Sequence, residues 1–388
     1  NMEALKTIGK AWKIPDIRKK IIFTLLMLVV FRIGSNIPVP GINREILDQA
    51  FNGDSGLFEL FDLFSGGAFS NLTIFALSIT PYITASIVLQ LLTIAIPALE
   101  RLAKEGVEGR KKIARYTRYL TVALAFVQAI GMTLGIFKQY LLNTDFFHIT
   151  VVVFVLSAGT AFLMWLGELI NENGIGNGIS LIIFGGIVAR VPSAVMAAYS
   201  NYKSGAISLV GIFLFLAFAI LVIIVIIEIQ QGQRRIPVQY AKRVVGRKMY
   251  GGQSTHIPLK VNQAGVIPVI FGMSLLQLPQ TLVYFWPNTG FSEFMTKWLS
   301  TNGTPGVYVY SIFYAILIIF FTYFYTAVTF NPMEVADNMK ANGGFVPGIR
   351  PGRPTVEYLQ KVMNRITFTG AIFLAVIAVM PLIIGNFT

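Results

Sequence analysis

The sequence contains no cysteine and only two histidines, His148 and His256. Without cysteine there are no disulfides, no thiolate nucleophile and no cysteine-ligated metal. The two histidines are far apart in the chain and fall at opposite membrane faces in the topology below, so they are not expected to share a metal. Charge is also scarce. Charged residues make up 13% of the 388-residue chain against 55% hydrophobic, and the mean hydropathy is +0.67. That balance leaves too little polar surface for a water-soluble globule. There is no GxxxxGK[ST] loop to cradle phosphates, no HExxH and no GxSxG elbow, so neither nucleotide hydrolysis nor metal or serine proteolysis has its usual apparatus. The chain is expected not to be an enzyme and to need no cofactor.

What the sequence does have is long apolar runs. About 20 helical residues cover a hydrocarbon core of about 30 Å, and nine segments qualify, at about 21–37, 72–96, 114–137, 148–170, 179–200, 207–231, 262–286, 305–330 and 366–385. Their interiors are almost free of Asp, Glu, Lys and Arg, and no long period-2 alternation suggests a β-barrel. The first segment lacks a cleavage site and is read as a retained helix.

Orientation follows from the 31 basic residues. Segment 1–20 carries six, loops 97–119 and 232–260 seven each, and loop 331–365 five, whereas the alternate loops hold only Arg44, Lys138, Arg190, Lys203 and Lys297. This asymmetry places the N-terminus and the large basic loops in the cytoplasm. The net charge of +13 then reflects topology, or docking of an acidic or RNA-rich cytosolic partner; direct DNA binding is not expected.

Two stretches depart from a plain bundle. Residues 56–67, GLFELFDLFSGG, predict one short amphipathic helix ended by Gly66 and Gly67. It is too short to cross a bilayer and either lies on the outer face or folds back as a re-entrant element. In ITPYITASI (79–87), Pro81 breaks the ladder near the middle of the second span, and Ile79 and Ile83 share a face. Ile179 and Ile183 repeat that spacing after GIGNGIS (174–180), and Ile270 follows Pro268 in the seventh span. On spacing alone such isoleucines are ordinary packing or lipid-facing residues.

The motifs ITPYITASI, EGRKKIARYTRY (108–119), TAFLMWLGE (160–168), GIGNGIS, GGQSTHIPLKVNQAGVIPVIF (251–271), NPMEVADN (331–338) and FVPGIRPG (345–352) occur in this order. As an ordered set they closely resemble the bacterial SecY family, the central subunits of protein-conducting channels. The resemblance implies an all-α polytopic membrane protein, an inverted repeat of two five-helix halves (1–206 and 207–388) with a re-entrant plug helix. Ten spans are implied, so the nine visible ones are expected to belong to a truncated or longer protein, and a sixth pore-ring side chain to lie on the missing span.

By the same resemblance the plug is Leu57 to Ser70, with Leu57, Phe58, Leu60, Phe61, Leu63, Phe64, Gly66 and Gly67 as its sealing residues. The pore ring is Ile79, Ile83, Ile179, Ile183 and Ile270. A lateral gate lies between the second and seventh spans at Thr84 and Leu278, with the third and eighth behind it. Gln128, an amide at membrane depth in the third span, either hydrogen-bonds across that seam or packs helices. Arg234, Arg235, Lys242, Arg243, Arg247, Lys248 and Arg350 are the implied contacts for the SecA ATPase or the ribosome. SecE, SecG and a preprotein or signal peptide complete the implied partners, at a bacterial plasma membrane. The rival classes are a secondary transporter, which needs ionisable groups near the midplane, and an intramembrane enzyme, which needs a nucleophile or metal set; Glu228 lies only near the cytoplasmic end of the sixth span.

Overall fold

The computed structural model describes residues 12–43, 65–135, 137–205, 207–240, 243–245, 248–250, 254–283, 285–286, 289–300 and 305–385. The chain forms two compact units, residues 1–201 with 274–306 and residues 202–273 with 307–388.

In the first unit, α1 (Pro15–Gly34) begins on a proline, whose fixed φ and missing N–H cost nothing in a first turn. Helix α2 (Thr80–Ala95) bends by 102° into the short α3 (Pro97–Lys104), because Pro97 has no N–H with which to continue the ladder. Helix α4 (Val107–Gly135) packs against both α2 and α5 (Phe146–Asn173). Helix α6 (Gly178–Ala189) is followed directly by α7 (Val191–Lys203). Residues 65–79 are a chain of turns, buried along most of their length. They supply Phe69, Leu72, Ala76 and Leu77 to a core completed by Ala129 and Met132 of α4 and by Val152 and Leu156 of α5. Extended backbone from the end of α1 holds these turns: Val39 N–H donates to Leu72 O at 3.1 Å and Ile74 N–H to Ile37 O at 3.0 Å.

The second unit contains α8 (Leu209–Gln231), a small sheet, and three further helices, α11 (Gly306–Thr329, its first residue in the first unit), α12 (Pro332–Ala341) and α13 (Arg353–Gly385). Between the units in sequence run α9 (Ile267–Val283), whose residues divide between them, and α10 (Gly290–Trp298) of the first unit. Strands β1 (Gln233–Tyr240) and β4 (Ser254–Lys260) pair antiparallel from Gln233↔Lys260 to Gln239↔Ser254, and β5 (Gly344–Phe345) joins the other edge of β1. Strands β2 (Arg243–Val245) and β3 (Lys248–Tyr250) form a separate hairpin. Ile236, Val238 and Leu259 lie on one face of the larger sheet and pack on Ala336 and Met339 of α12 and on Leu359, Val362 and Met363 of α13. Strands β1 and β4 of the first basic loop and β5, α12 and the start of α13 of the second are therefore one folded body. Hydropathy does not reveal this sheet, although buried Ile236 and Val238 alternate with exposed Arg235, Pro237 and Gln239 as a half-buried strand should.

Among the described residues six helical segments are long and apolar enough to cross a membrane, and α2 with α3 makes a seventh. The two remaining expected spans are α1, which carries Asp16, Arg18, Lys19, Lys20 and Arg32, and α9, which has 17 residues. Two expected boundaries also move. The second span begins as helix at Thr80 rather than near residue 72, because Leu72 and Ser78 adopt positive φ (40° and 52°), which no α-helix accommodates. Pro81 therefore sits in the first turn of α2 instead of breaking its middle. The fifth span has a one-residue break at Arg190, between α6 and α7, yet still runs as one crossing segment from Gly178 to Lys203.

Candidate pore, gate and docking surfaces

Ile79 is the N-cap residue of α2 and Ile83 lies one turn on, its N–H donating to Ile79 O at 3.2 Å. Both side chains are buried, at 1% and 7% exposure. Ile179 and Ile183 take the same relation on α6, Ile183 buried and Ile179 half-buried against Gly167 of α5. The GIGNGIS motif builds this start. Asn177 Oδ1 accepts from Ile179 and Ser180 N–H, both at 3.1 Å, and Asn171 Oδ1 accepts from Gly178 N–H at 2.7 Å. An Asn cap of this kind satisfies N–H groups that the first turn leaves open. Four of the five expected ring isoleucines thus lie on two helices of one unit. Ile270, half-buried on α9, belongs to the other unit.

Of the expected plug residues, Leu57, Phe58, Leu60, Phe61, Leu63 and Phe64 lie outside the described residues. Gly66 and Gly67 adopt φ of +65° and +89°, a region open to glycine. Gly66 approaches α6 so closely that an added Cβ would stand 2.9 Å from Gly186 Cα, and Gly186 is only three residues beyond Ile183. The Gly66 carbonyl also accepts from Arg32 Nη1 at 2.9 Å. The end of this segment is therefore fixed against the helix that carries two of the expected ring isoleucines. It does not stop there, since buried turns continue from Ser65 to Ile79.

At the expected gate, Thr84 is buried on α2, and its Oγ1 has no hydrogen-bond partner among the described residues. Gln128 is buried on α4, which packs on α2, and Leu278 is half-buried on α9. Sequence reasoning missed one polar feature here: Arg118 Nε of α4 donates to Glu168 Oε1 of α5 at 2.7 Å. Both residues lie inside motifs already quoted, EGRKKIARYTRY and TAFLMWLGE, but 50 positions separate them and only the α4/α5 packing brings them together.

The expected docking residues lie on the sheet and its surroundings. Arg234 and Arg235 are exposed on β1, opposite Leu259 and Pro258. Arg350 is exposed, and its carbonyl accepts from Thr355 Oγ1 at 2.9 Å. Arg243 and Lys248 lie in the β2–β3 hairpin; Lys242 and Arg247 fall outside the described residues. Among the described residues no cluster of three or more His, Cys, Asp or Glu could hold a metal.

Comparison with known proteins gives this arrangement its relatives. The protein translocase subunit SecY of Streptomyces coelicolor is 49% identical over 401 residues, covering 97% of this chain and 89% of the relative. That of Aquifex aeolicus is 48% identical over 385 residues, covering 96% and 88%. Among solved structures, a protein-conducting channel covers 98% of this chain and 95% of its own at a TM-score of 0.66 and 19% identity. Sec61 of the canine ribosome–channel complex from the endoplasmic reticulum covers the same shares at 0.61 and 19%; these two likenesses concern the fold. The SecY family model matches residues 73–388, and with relatives this similar over nearly the whole chain, the protein is a polytopic membrane protein that belongs to the SecY family.

Proposed function

We propose that this chain is the pore-forming subunit of a protein translocase, passing unfolded preproteins across a bacterial plasma membrane and releasing signal sequences and transmembrane segments sideways into lipid. The observation that carries this reading is near-half identity, over 97% of the chain, to proteins named as translocase subunits. Physical chemistry supports it. A charged residue costs about 2.5–3.5 kcal/mol at the centre of a membrane helix on insertion scales, so a secreted chain needs a wet path. A ring of β-branched isoleucines offers a passing chain no charge or hydrogen bond to grip, and when narrow it dewets and holds back ions. Ile79, Ile83, Ile179, Ile183 and Ile270 form that ring in this reading, and the segment Leu57 to Ser70 is the plug. The close approach of Gly66 to Gly186 supports the plug, because it fixes the segment's end beside Ile183.

In the same reading residues 1–206 and 207–388 are the two halves, and the gate opens between α2 and α9 at Thr84 and Leu278. A sideways opening lets the gain of an apolar segment on meeting lipid decide between export and insertion. SecE and SecG complete the channel. The SecA motor or a ribosome docks on the cytoplasmic body formed by β1, β4 and β5, where Arg234, Arg235 and Arg350 are exposed. One of the structural relatives is itself described in a ribosome-bound complex. The test is reconstitution of the full chain with SecE, SecG and SecA in vesicles, following protease protection of a radiolabelled preprotein. ATP-dependent protection is expected; uptake of small solutes with no preprotein import would overturn the reading.

A further inference from the structure

Helix α9 has 17 residues, which at 1.5 Å per residue is about 25 Å, some 5 Å short of a hydrocarbon core of about 30 Å. A short span settles its depth through neighbouring interfacial groups, and such a group follows directly. Helix α10 presents Phe291, Phe294 and Trp298 along one exposed face, at 42%, 55% and 38% exposure. Ser292, Glu293 and Thr296 occupy the other side of the helix, and Lys297 lies on the flank between the two.

We propose that α10 is a lipid-interface anchor, seated with Phe291, Phe294 and Trp298 at the boundary between headgroups and acyl chains, on the side of the membrane where α9 ends. Three observations select lipid as the occupant of this face. The short links 284–289 and 299–305 tie both ends of α10 to membrane helices, α9 and α11, so the helix stays at the bilayer surface. Phe285 and Trp286, exposed immediately before it, extend the same aromatic belt. The Lys297 ammonium lies 5.8 Å from the Trp298 ring, which places a cation at headgroup level above an apolar face, as interfacial helices do. The anchor is also coupled to α9: Met295 is buried, and Gln280 Nε2 of α9 donates to Leu299 O at 3.3 Å. Lipid contact at α10 thereby fixes the depth of the end of α9.

The inference rests on the chain being a membrane protein and not on what it transports, so a failed import assay leaves it standing. The chain has four tryptophans. In the full chain with Trp12→Phe, Trp165→Phe and Trp286→Phe, reconstituted in phosphatidylcholine–phosphatidylglycerol vesicles, only Trp298 reports. Strong quenching by lipids brominated near the glycerol end of the acyl chain is expected, with weak quenching by bromines near the bilayer centre and by aqueous iodide. Dominant iodide quenching, or maximal quenching at the bilayer centre, would overturn the proposal. Adding Phe291→Ser and Phe294→Ser should raise the iodide quenching constant about twofold or more; an unchanged constant would also overturn it. If that variant fails to insert, the depth profile of the parent decides alone.

Discussion

Single residues set how closely the membrane helices approach. A Cβ at Gly159 of α5 would run into the Ile74 carbonyl oxygen and stand 3.4 Å from the Phe75 ring, and a backbone atom cannot swing away as a long side chain can. Gly159→Ala is expected to destabilise the first unit by about 1–3 kcal/mol, as overpacking does. Gly290, with nothing within 4 Å of its added Cβ, is the control, and Gly290→Ala should be neutral or slightly stabilising. Thermal unfolding in detergent checks both; equal melting temperatures for the two variants would refute the packing argument. The Arg118–Glu168 pair is partly open to solvent, with side chains 49% and 23% exposed, so a double-mutant cycle of Arg118→Gln and Glu168→Gln should give a coupling of only about 0.5–1 kcal/mol. At this scale the sequence was readable where a local rule applied. The Ile79/Ile83 and Ile179/Ile183 spacings follow from helical periodicity. The Arg118–Glu168 contact and the Gly66–Gly186 approach depend on which helices pack together, and no window of sequence contains that.

Whole elements were legible wherever a long apolar run decided them. Helix α8 is apolar from Leu209 to Ile227, with Glu228 in its last turn, and none of its residues is buried within the chain, so its limits at 209–231 nearly coincide with the apolar run. The starts of α2 and the break between α6 and α7 were not legible, because a turn that buries its apolar residues has the hydropathy of a helix that faces lipid. The segment 65–79 shows this: Phe69, Leu72 and Leu77 are as buried as any core residue, yet their backbone runs in turns. The sheet joining the two basic loops was hidden for another reason. Its two long strands, β1 and β4, lie in polar, basic sequence, and β5 supplies only two residues, Gly344 and Phe345, paired with Tyr240 and Gln239. What holds this body together is the apolar layer between the sheet and α12 and α13. Ile236, at 1% exposure, is central to it, and Ile236→Ala should cost about 2–4 kcal/mol of local stability through lost transfer energy and the cavity left behind. Limited trypsin digestion of the detergent-solubilised protein should then cut within 232–260 several times faster, with the membrane helices still intact. Cleavage at the wild-type rate would mean that the two loops are held by something other than this layer.

For the whole molecule the open quantity is orientation. The apolar helices establish that the chain crosses the membrane repeatedly, but helix geometry is the same read in either direction, and only the distribution of Lys and Arg distinguishes the two faces. Helix α4 provides the cleanest ruler, since exposed Lys111 lies near its start and exposed Lys138 just past its end. Lys297 and Lys340 likewise lie beyond opposite ends of α11. The absence of native cysteine makes the measurement direct, because Lys111→Cys, Lys138→Cys, Lys297→Cys and Lys340→Cys each introduce a single thiol. With a membrane-impermeant maleimide, positions 138 and 297 should label in right-side-out spheroplasts and positions 111 and 340 only in inverted vesicles. Such a pattern puts the basic body of β1, β4 and β5 on the cytoplasmic side, where a motor or ribosome can reach it. The reverse pattern would remove the docking assignment of Arg234, Arg235 and Arg350 at once. Labelling of positions 111 and 138 from the same side would go further and deny that α4 spans the membrane.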